Sequence, residues 1–267
     1  MRIRVGHLYP DDLNIYADRG NIAVLERRAA ARGHELAIDA IGIGDALAPG
    51  EHDLLYIGGG QDREQALVAP DLAAKGDAIV EAVARGAALL AVCGGYQLLG
   101  RSYRGQGGTL MEGAGLFPIE TVAGTERMIG DVLIECTFED GTRRQLAGFE
   151  NHAGRTVLDP DATPLGRVVY GFGNDGASGF EGCRVGNAIG TYLHGPLLPR
   201  NPWLADWLLA RALAHASGGA PPVLEALDDE LEREAFRVAA ARARARGGRR
   251  SRWTAGSRGA PHPTTRF

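Results

Sequence analysis

Over the first hundred residues the hydrophobic pattern alternates between strand and helix periods. Ile3 to Leu8 is a short apolar run, and Asn21 to Arg32 carries Ile22, Leu25 and Ala29 near helical spacing with Arg27, Arg28 and Arg32 outward. Leu36 to Ile41 predicts a second strand after the Gly33 break. Asp53 to Ile57 predicts another, ending at Gly58, Gly59 and Gly60. Leu72 to Arg85 has a helical face, and Ala87 to Val92 is a buried run that stops at Cys93. Strands that are apolar throughout, each followed by a helix, predict a parallel sheet covered on both faces. Ligands bind such sheets beyond the carboxyl ends of the strands, where Gly58 to Gly60 and Cys93 fall.

From about Phe117 to Leu193 the pattern changes to short strands with glycine-rich turns: Val132 to Phe138, Gln145 to Phe149, Arg167 to Tyr170 and Ala188 to Leu193. These read as antiparallel strands added to the same fold. Asn201 and Pro202 are placed as cap and first residue of a helix carrying Leu204, Leu208 and Leu209. The expected division is a domain over residues 1–217, a helical extension over 218–246 after the Gly218–Pro222 linker, and a disordered basic tail over 247–267.

Composition narrows the class. The 267 residues are 45% hydrophobic and 23% charged, ordinary for a globular protein able to bury a core. The net charge of -4 hides arginines concentrated after Arg237, and a solvated terminus is the simplest account of them; no nucleic-acid partner is expected. Three cysteines, Cys93, Cys136 and Cys183, make no disulfide framework and point to a reducing compartment. No run reaches bilayer-spanning length and no leader pattern precedes Ile3, so the expected location is cytoplasmic.

Three motifs carry chemistry. In Ala91-Val92-Cys93-Gly94-Gly95-Tyr96-Gln97 a buried strand turns through a cysteine and two glycines into a helix, as in a nucleophile elbow. The helix start favours a thiolate, although a structural cysteine at a strand end would look the same. Thr191-Tyr192-Leu193-His194-Gly195-Pro196 ends another strand and supplies a histidine at the same edge if that strand is parallel. In Tyr56-Ile57-Gly58-Gly59-Gly60-Gln61-Asp62 the glycines offer backbone donors for an oxyanion, together with the N–H of Gly94. The one lysine, Lys75, lacks the preceding glycine loop, so a P-loop is excluded and any ATP chemistry belongs to another chain.

Together these residues resemble the class I, triad-type glutamine amidotransferases, in the branch of cobyric and cobyrinic acid synthases. Phe149-Glu150-Asn151-His152-Ala153-Gly154-Arg155-Thr156 is similar to that branch's motif between nucleophile and histidine. Within the branch, Leu13-Asn14-Ile15-Tyr16-Ala17-Asp18-Arg19-Gly20-Asn21 and the run from Gly58 to Ala66 resemble the glutaminase subunits of lipid II isoglutaminyl synthases. The resemblance implies a three-layer, flavodoxin-like α/β domain that hydrolyses L-glutamine. It implies Cys93 as nucleophile, His194 as base, and Gly59, Gly60 and Gly94 as oxyanion donors. Gln97 and Arg127 would hold glutamine, Arg127 by its carboxylate; a surface arginine in a loop is the competing reading of Arg127. His152 would position or brace the site.

The same resemblance implies a heterodimer with a Mur-ligase-like subunit (MurT), which reaches lipid II and carries ATP and magnesium, while this chain holds neither metal nor cofactor. A corrinoid precursor as acceptor, or a non-catalytic regulatory role, stays open. One departure is visible: the wider class has a glutamate two residues after its histidine, and here that position is Pro196. The chain works as a dyad, or an acid comes from elsewhere, and a partner carboxylate is expected.

Overall fold

The computed structural model describes residues 1–14 and 19–254, the last nine of these as backbone only. Residues 15–18 of the early motif and 255–267 of the expected tail lie outside the described residues.

The alternating pattern builds the first sheet. Its strands are β1 (Arg2–Leu8), β2 (Glu35–Ile41), β3 (Leu54–Ile57), β4 (Ala88–Val92), β11 (Cys183–Val185) and β12 (Ala188–Thr191). They run in the order β11-β12-β4-β3-β1-β2, parallel except for the edge strand β11. The central strands β3, β4 and β12 are buried at every position, which is why they read as unbroken apolar runs. Helices α1 (Arg19–Ala30) and α5 (Pro202–Ser217) pack on each other and on this sheet. Helices α2 (Asp62–Ala74), α3 (Gly76–Ala84) and α4 (Gly94–Leu98) supply the rest of the covering, giving the flavodoxin-like α/β fold. The helix expected over 72–85 is two helices broken at Lys75. A side chain at Gly76 would sit 2.7 Å from the Ala114 carbonyl oxygen, so the glycine permits a close approach there.

The second sheet is where the pattern misled. Strands β7 (Ile119–Thr137) and β8 (Arg143–Leu158) form one long antiparallel hairpin. It is flanked by β5 (Ser102–Arg104), β6 (Leu110–Glu112), β9 (Gly166–Tyr170) and β10 (Phe180–Glu181). The polar stretch Gly124-Thr125-Glu126 lies inside this hairpin. It interrupts the hairpin only as a register shift between Ala123 and Met128, because the ladder on either side satisfies the backbone whatever the side chains are. One core joins both sheets, with Ile57 and Val92 from the first and Ile119 and Ile134 from the second.

At the carboxyl end, 221–229 is neither helix nor strand and α6 (Glu230–Thr254) packs on β7 and β8 through Ala239, Ala240 and Ala243. The helix therefore begins later than Val223 and runs past 246. Asn201 is the cap residue of α5, but its side chain does not cap. Its amide bridges the backbone N–H and C=O of Ala147 and the carbonyl of Leu197, tying the loop before α5 to β8.

Candidate active site

Cys93 follows the last residue of β4 and has φ 50° and ψ -104°. Among the described residues only Tyr9 shares a positive φ without being glycine. Such a conformation costs on the order of 1–3 kcal/mol and persists only where the surroundings enforce it. Here the Cys93 N–H donates to the Thr191 carbonyl at 2.8 Å, and the Cys93 carbonyl accepts the Gln97 N–H at 3.0 Å. Both bonds hold the strand-to-helix turn, in which Cys93 is 4% exposed.

The glycines around it are there for close approach. A Cβ on Gly95 would lie 2.8 Å from the Gly58 carbonyl oxygen, which already accepts the Gly95 N–H at 3.1 Å. A Cβ on Gly94 would lie 2.8 Å from the backbone nitrogen of Gly60 and 2.4 Å from Gln65 Nε2. The Gly60 amide nitrogen thus lies close against Gly94, and neither glycine's N–H has a hydrogen-bond partner among the described residues. Gly59 sits between Gly58, engaged with Gly95, and Gly60.

Cys93 opens on a cavity of about 460 Å³ whose lining includes Gly60, Gln97 and Arg127. Gln97 is held from both ends of its amide. Its Oε1 accepts from Gln65 Nε2, and its Nε2 donates to Tyr192 Oη, each at 3.0 Å. Gln65 in turn donates to the Gly60 carbonyl, and Tyr192 continues the chain to Thr156 at 2.6 Å and Thr121 beyond. Gln97 is therefore a fixed wall of the cavity, coupled to the Gly60 backbone. Arg127 falls within the register shift of β7, which turns its side chain onto the cavity. Nε and Nη2 donate to the Asn151 side-chain oxygen and carbonyl, both at 2.9 Å. Nη1 has no partner among the described residues.

His194 reaches the same sheet edge from β12. Thr191 pairs with Val92, so the chain has one residue to go to Cys93 and three to His194. His194 is fully buried and exchanges two backbone hydrogen bonds with Phe149, at 2.8 and 3.2 Å. It is not in the lining of the Cys93 cavity described above. Two residues on, Pro196 packs against Gly20, where a Cβ would meet its ring at 2.6 Å. No acid stands at that position.

Further residues support the site. His152, expected to brace it, lines the cavity beside Cys93. Its ring stacks on Tyr192 at 3.5 Å and 5°, and Nδ1 donates to the Gly154 carbonyl at 2.9 Å. Burial lowers its pKa, keeping the imidazole neutral; the Glu150 carboxylate, 4.0 Å from Nε2, is too distant for a hydrogen bond. Glu181, fully buried, accepts the Tyr192 N–H at 2.7 Å and the Thr191 hydroxyl, bracing the segment that leads to His194. Gln65 lay inside the motif run from Gly58 to Ala66, a signal that could have found it. Tyr192 likewise lay inside the motif that carries His194, whereas Glu181 gave no signal, since only the fold brings it to this segment.

Comparison with known proteins agrees with this geometry. A family model described as a CobB/CobQ-like glutamine amidotransferase domain matches residues 4–202. The lipid II isoglutaminyl synthase (glutamine-hydrolyzing) subunit GatD of Staphylococcus aureus is 39% identical over 88% of this chain and 94% of its own. GatD of Streptococcus pneumoniae is 40% identical over 81% of this chain and 83% of its own. A cobyric acid synthase of Rhodobacter capsulatus is 36% identical over 56% of this chain and 31% of its own.

Proposed function

This chain belongs to the CobB/CobQ-like glutamine amidotransferase family, and from that membership we propose that it is the glutaminase subunit of a lipid II isoglutaminyl synthase. The carrying observation is the strained Cys93 elbow, with the Gly60 amide nitrogen packed against Gly94 and a cavity at the thiol lined by Gly60 and Arg127.

The chemistry follows from those parts. Arg127 receives the α-carboxylate of L-glutamine. The Cys93 thiolate attacks the carboxamide carbon, and the Gly60 and Gly94 amides, with Gly59 beside them, stabilise the oxyanion. His194 takes the thiol proton and delivers it to the departing ammonia, leaving a thioester that water hydrolyses to glutamate. Gln97 keeps the Gly60 loop and the cavity wall in register.

Ammonia passes to a Mur-ligase-like, ATP-dependent partner, MurT, in a heterodimer that amidates the D-glutamate of lipid II. ATP and magnesium act on that partner, which also supplies the carboxylate that orients His194, since Pro196 occupies the usual position. No helix among the described residues is long and apolar enough to cross a membrane. The reaction belongs to the cytoplasm, where ATP is available. A corrinoid acceptor has less support, because the cobyric acid synthase similarity covers little more than half of this chain.

Incubation of the full chain, alone and with its ligase partner, with 6-diazo-5-oxo-L-norleucine tests the reading. A single adduct on Cys93 by mass spectrometry is expected; no adduct in either state would sink the glutaminase assignment.

A further inference from the structure

L-glutamine is a zwitterion, so a cavity selective for it needs an anion for the α-ammonium as well as a cation for the α-carboxylate. Among the described residues lining the Cys93 cavity the charged ones are Asp62, Arg63 and Arg127, and Asp62 is the one carboxylate. Besides the Cys93 thiol and the Tyr103 hydroxyl, the remaining polar side chains there are the amides of Gln61, Gln65, Gln97, Gln106 and Asn151, together with His152, kept neutral by burial.

Asp62 is also held in place. It opens α2, and its Oδ1 accepts the Tyr103 hydroxyl at 2.8 Å. Tyr103 is 2% exposed, anchored in β5. Burial, and then Asp62 itself, raises the phenol's pKa far above its ordinary value, so it donates at any working pH. Tyr103 lines the same cavity as Cys93. The second oxygen, Oδ2, has no hydrogen-bond partner among the described residues, and the residue is exposed. The arrangement mirrors Arg127, which is tethered through two nitrogens and keeps a third available. Two tethered, opposite charges on one cavity with the thiol are what an α-amino acid requires.

We propose that Asp62, positioned by Tyr103, binds the α-ammonium group of L-glutamine and sets the selectivity of the site for an α-amino acid amide. This rests on the glutaminase reading and extends it to the other end of the substrate. An acid in the first turn of a helix also interacts favourably with the helix dipole. That role alone would affect stability and leave substrate selection untouched.

The experiment compares L-glutamine with glutaramate, which differs only in lacking the amino group, using the full chain with its ligase partner present. The wild type should favour glutamine, and Asp62→Asn should raise KM for glutamine roughly 10- to 100-fold, as expected for loss of a charge-assisted bond. KM for glutaramate should stay within about threefold, as should the rate of Cys93 alkylation by iodoacetamide, which carries no ammonium. Tyr103→Phe, a second variant should the first fold poorly, should lose discrimination in the same direction by a smaller factor. Equal changes for both amides, or no change for either, would overturn the role of Asp62 while leaving the glutaminase reading intact. A wild type that hydrolyses neither amide and takes no label on Cys93 would end that reading and this inference together.

Discussion

The backbone nitrogen of Gly60 lies 2.8 Å from the point where a β-carbon on Gly94 would be. Two loops from different strands, one after β3 and one after β4, touch through atoms that only glycine leaves accessible. The contact sets the Gly60 amide nitrogen against Gly94, and neither glycine's N–H has a hydrogen-bond partner among the described residues. Gly94→Ala should therefore separate the loops. Loss of one oxyanion donor costs roughly 10²–10³ in kcat elsewhere, and a comparable fall in glutamine hydrolysis is expected. Overpacking here should cost about 1–3 kcal/mol in stability. Steady-state kinetics beside urea unfolding separates the two effects, and a variant that hydrolyses glutamine normally contradicts the assignment.

Replacing the nucleophile divides chemistry from strain. Cys93→Ala should abolish glutamine-dependent amidation in the complex and spare the ammonia-dependent reaction. Loss of both would mean that the cysteine is structural. Because Cys93 holds φ at 50°, alanine keeps the backbone strain and glycine relieves it. Cys93→Gly should be equally inactive and melt no lower than Cys93→Ala in a thermal scan.

These positions show what a linear reading reaches. The strand ends at Ile57 and Val92 were visible because buried parallel strands are apolar throughout and stop at glycine or cysteine. Cys93 and the glycines could be found because backbone geometry restricts residue type there. The long hairpin of β7 and β8 was hidden: its ladder tolerates Gly, Thr and Glu, so a loop stayed open as the competing reading of Arg127, which sits in a bulge of a paired strand. Gln65, Tyr192 and Glu181 act through contacts 32, 95 and 11 residues away in sequence, to Gln97 for the first two and to Tyr192 for the third, and no spacing announces such contacts.

Arginines in and just after α1 help fasten the carboxyl-terminal segment. Arg28 in α1 is 3% exposed and forks onto Asp206 with two bonds of 2.7 Å, while Nη1 and Nη2 reach Asp229. Arg32 joins it on Asp206 and donates to the Glu225 carbonyl. Removing one member of a buried pair leaves charges unmatched, but both aspartates keep partial solvent access, which reduces the penalty. Arg28→Ala should cost about 1–3 kcal/mol and release the 221–229 strap. Limited trypsin digestion should then cut after Arg233 and Arg237 sooner than in the wild type, and unchanged digestion would mean that the strap is held by other contacts.

Glu181 predicts a pH dependence of stability. It is fully buried beneath Thr191 and Tyr192, and burial outweighs the donors that favour its charge, raising its pKa to about 8 from an ordinary 4.5. Glu150 adds to the rise, and the neighbouring Tyr96 and Cys136 are themselves pushed up and stay neutral. Below 4.5 both the folded and unfolded chains hold the proton. Between about 4.5 and 8 the unfolded chain has released it and the fold retains it, so stability falls as pH rises through that window. The loss is at most about 5 kcal/mol for a shift of this size. Glu181→Gln keeps an acceptor for the Tyr192 N–H and cannot ionise, so this component of the slope should vanish. His7, whose burial lowers its pKa to about 4, titrates in both proteins and cancels in the difference. Urea unfolding of both at pH 5, 6.5 and 8 should show the variant gaining on the wild type at each step, and a difference constant with pH would show that Glu181 is ionised in the fold.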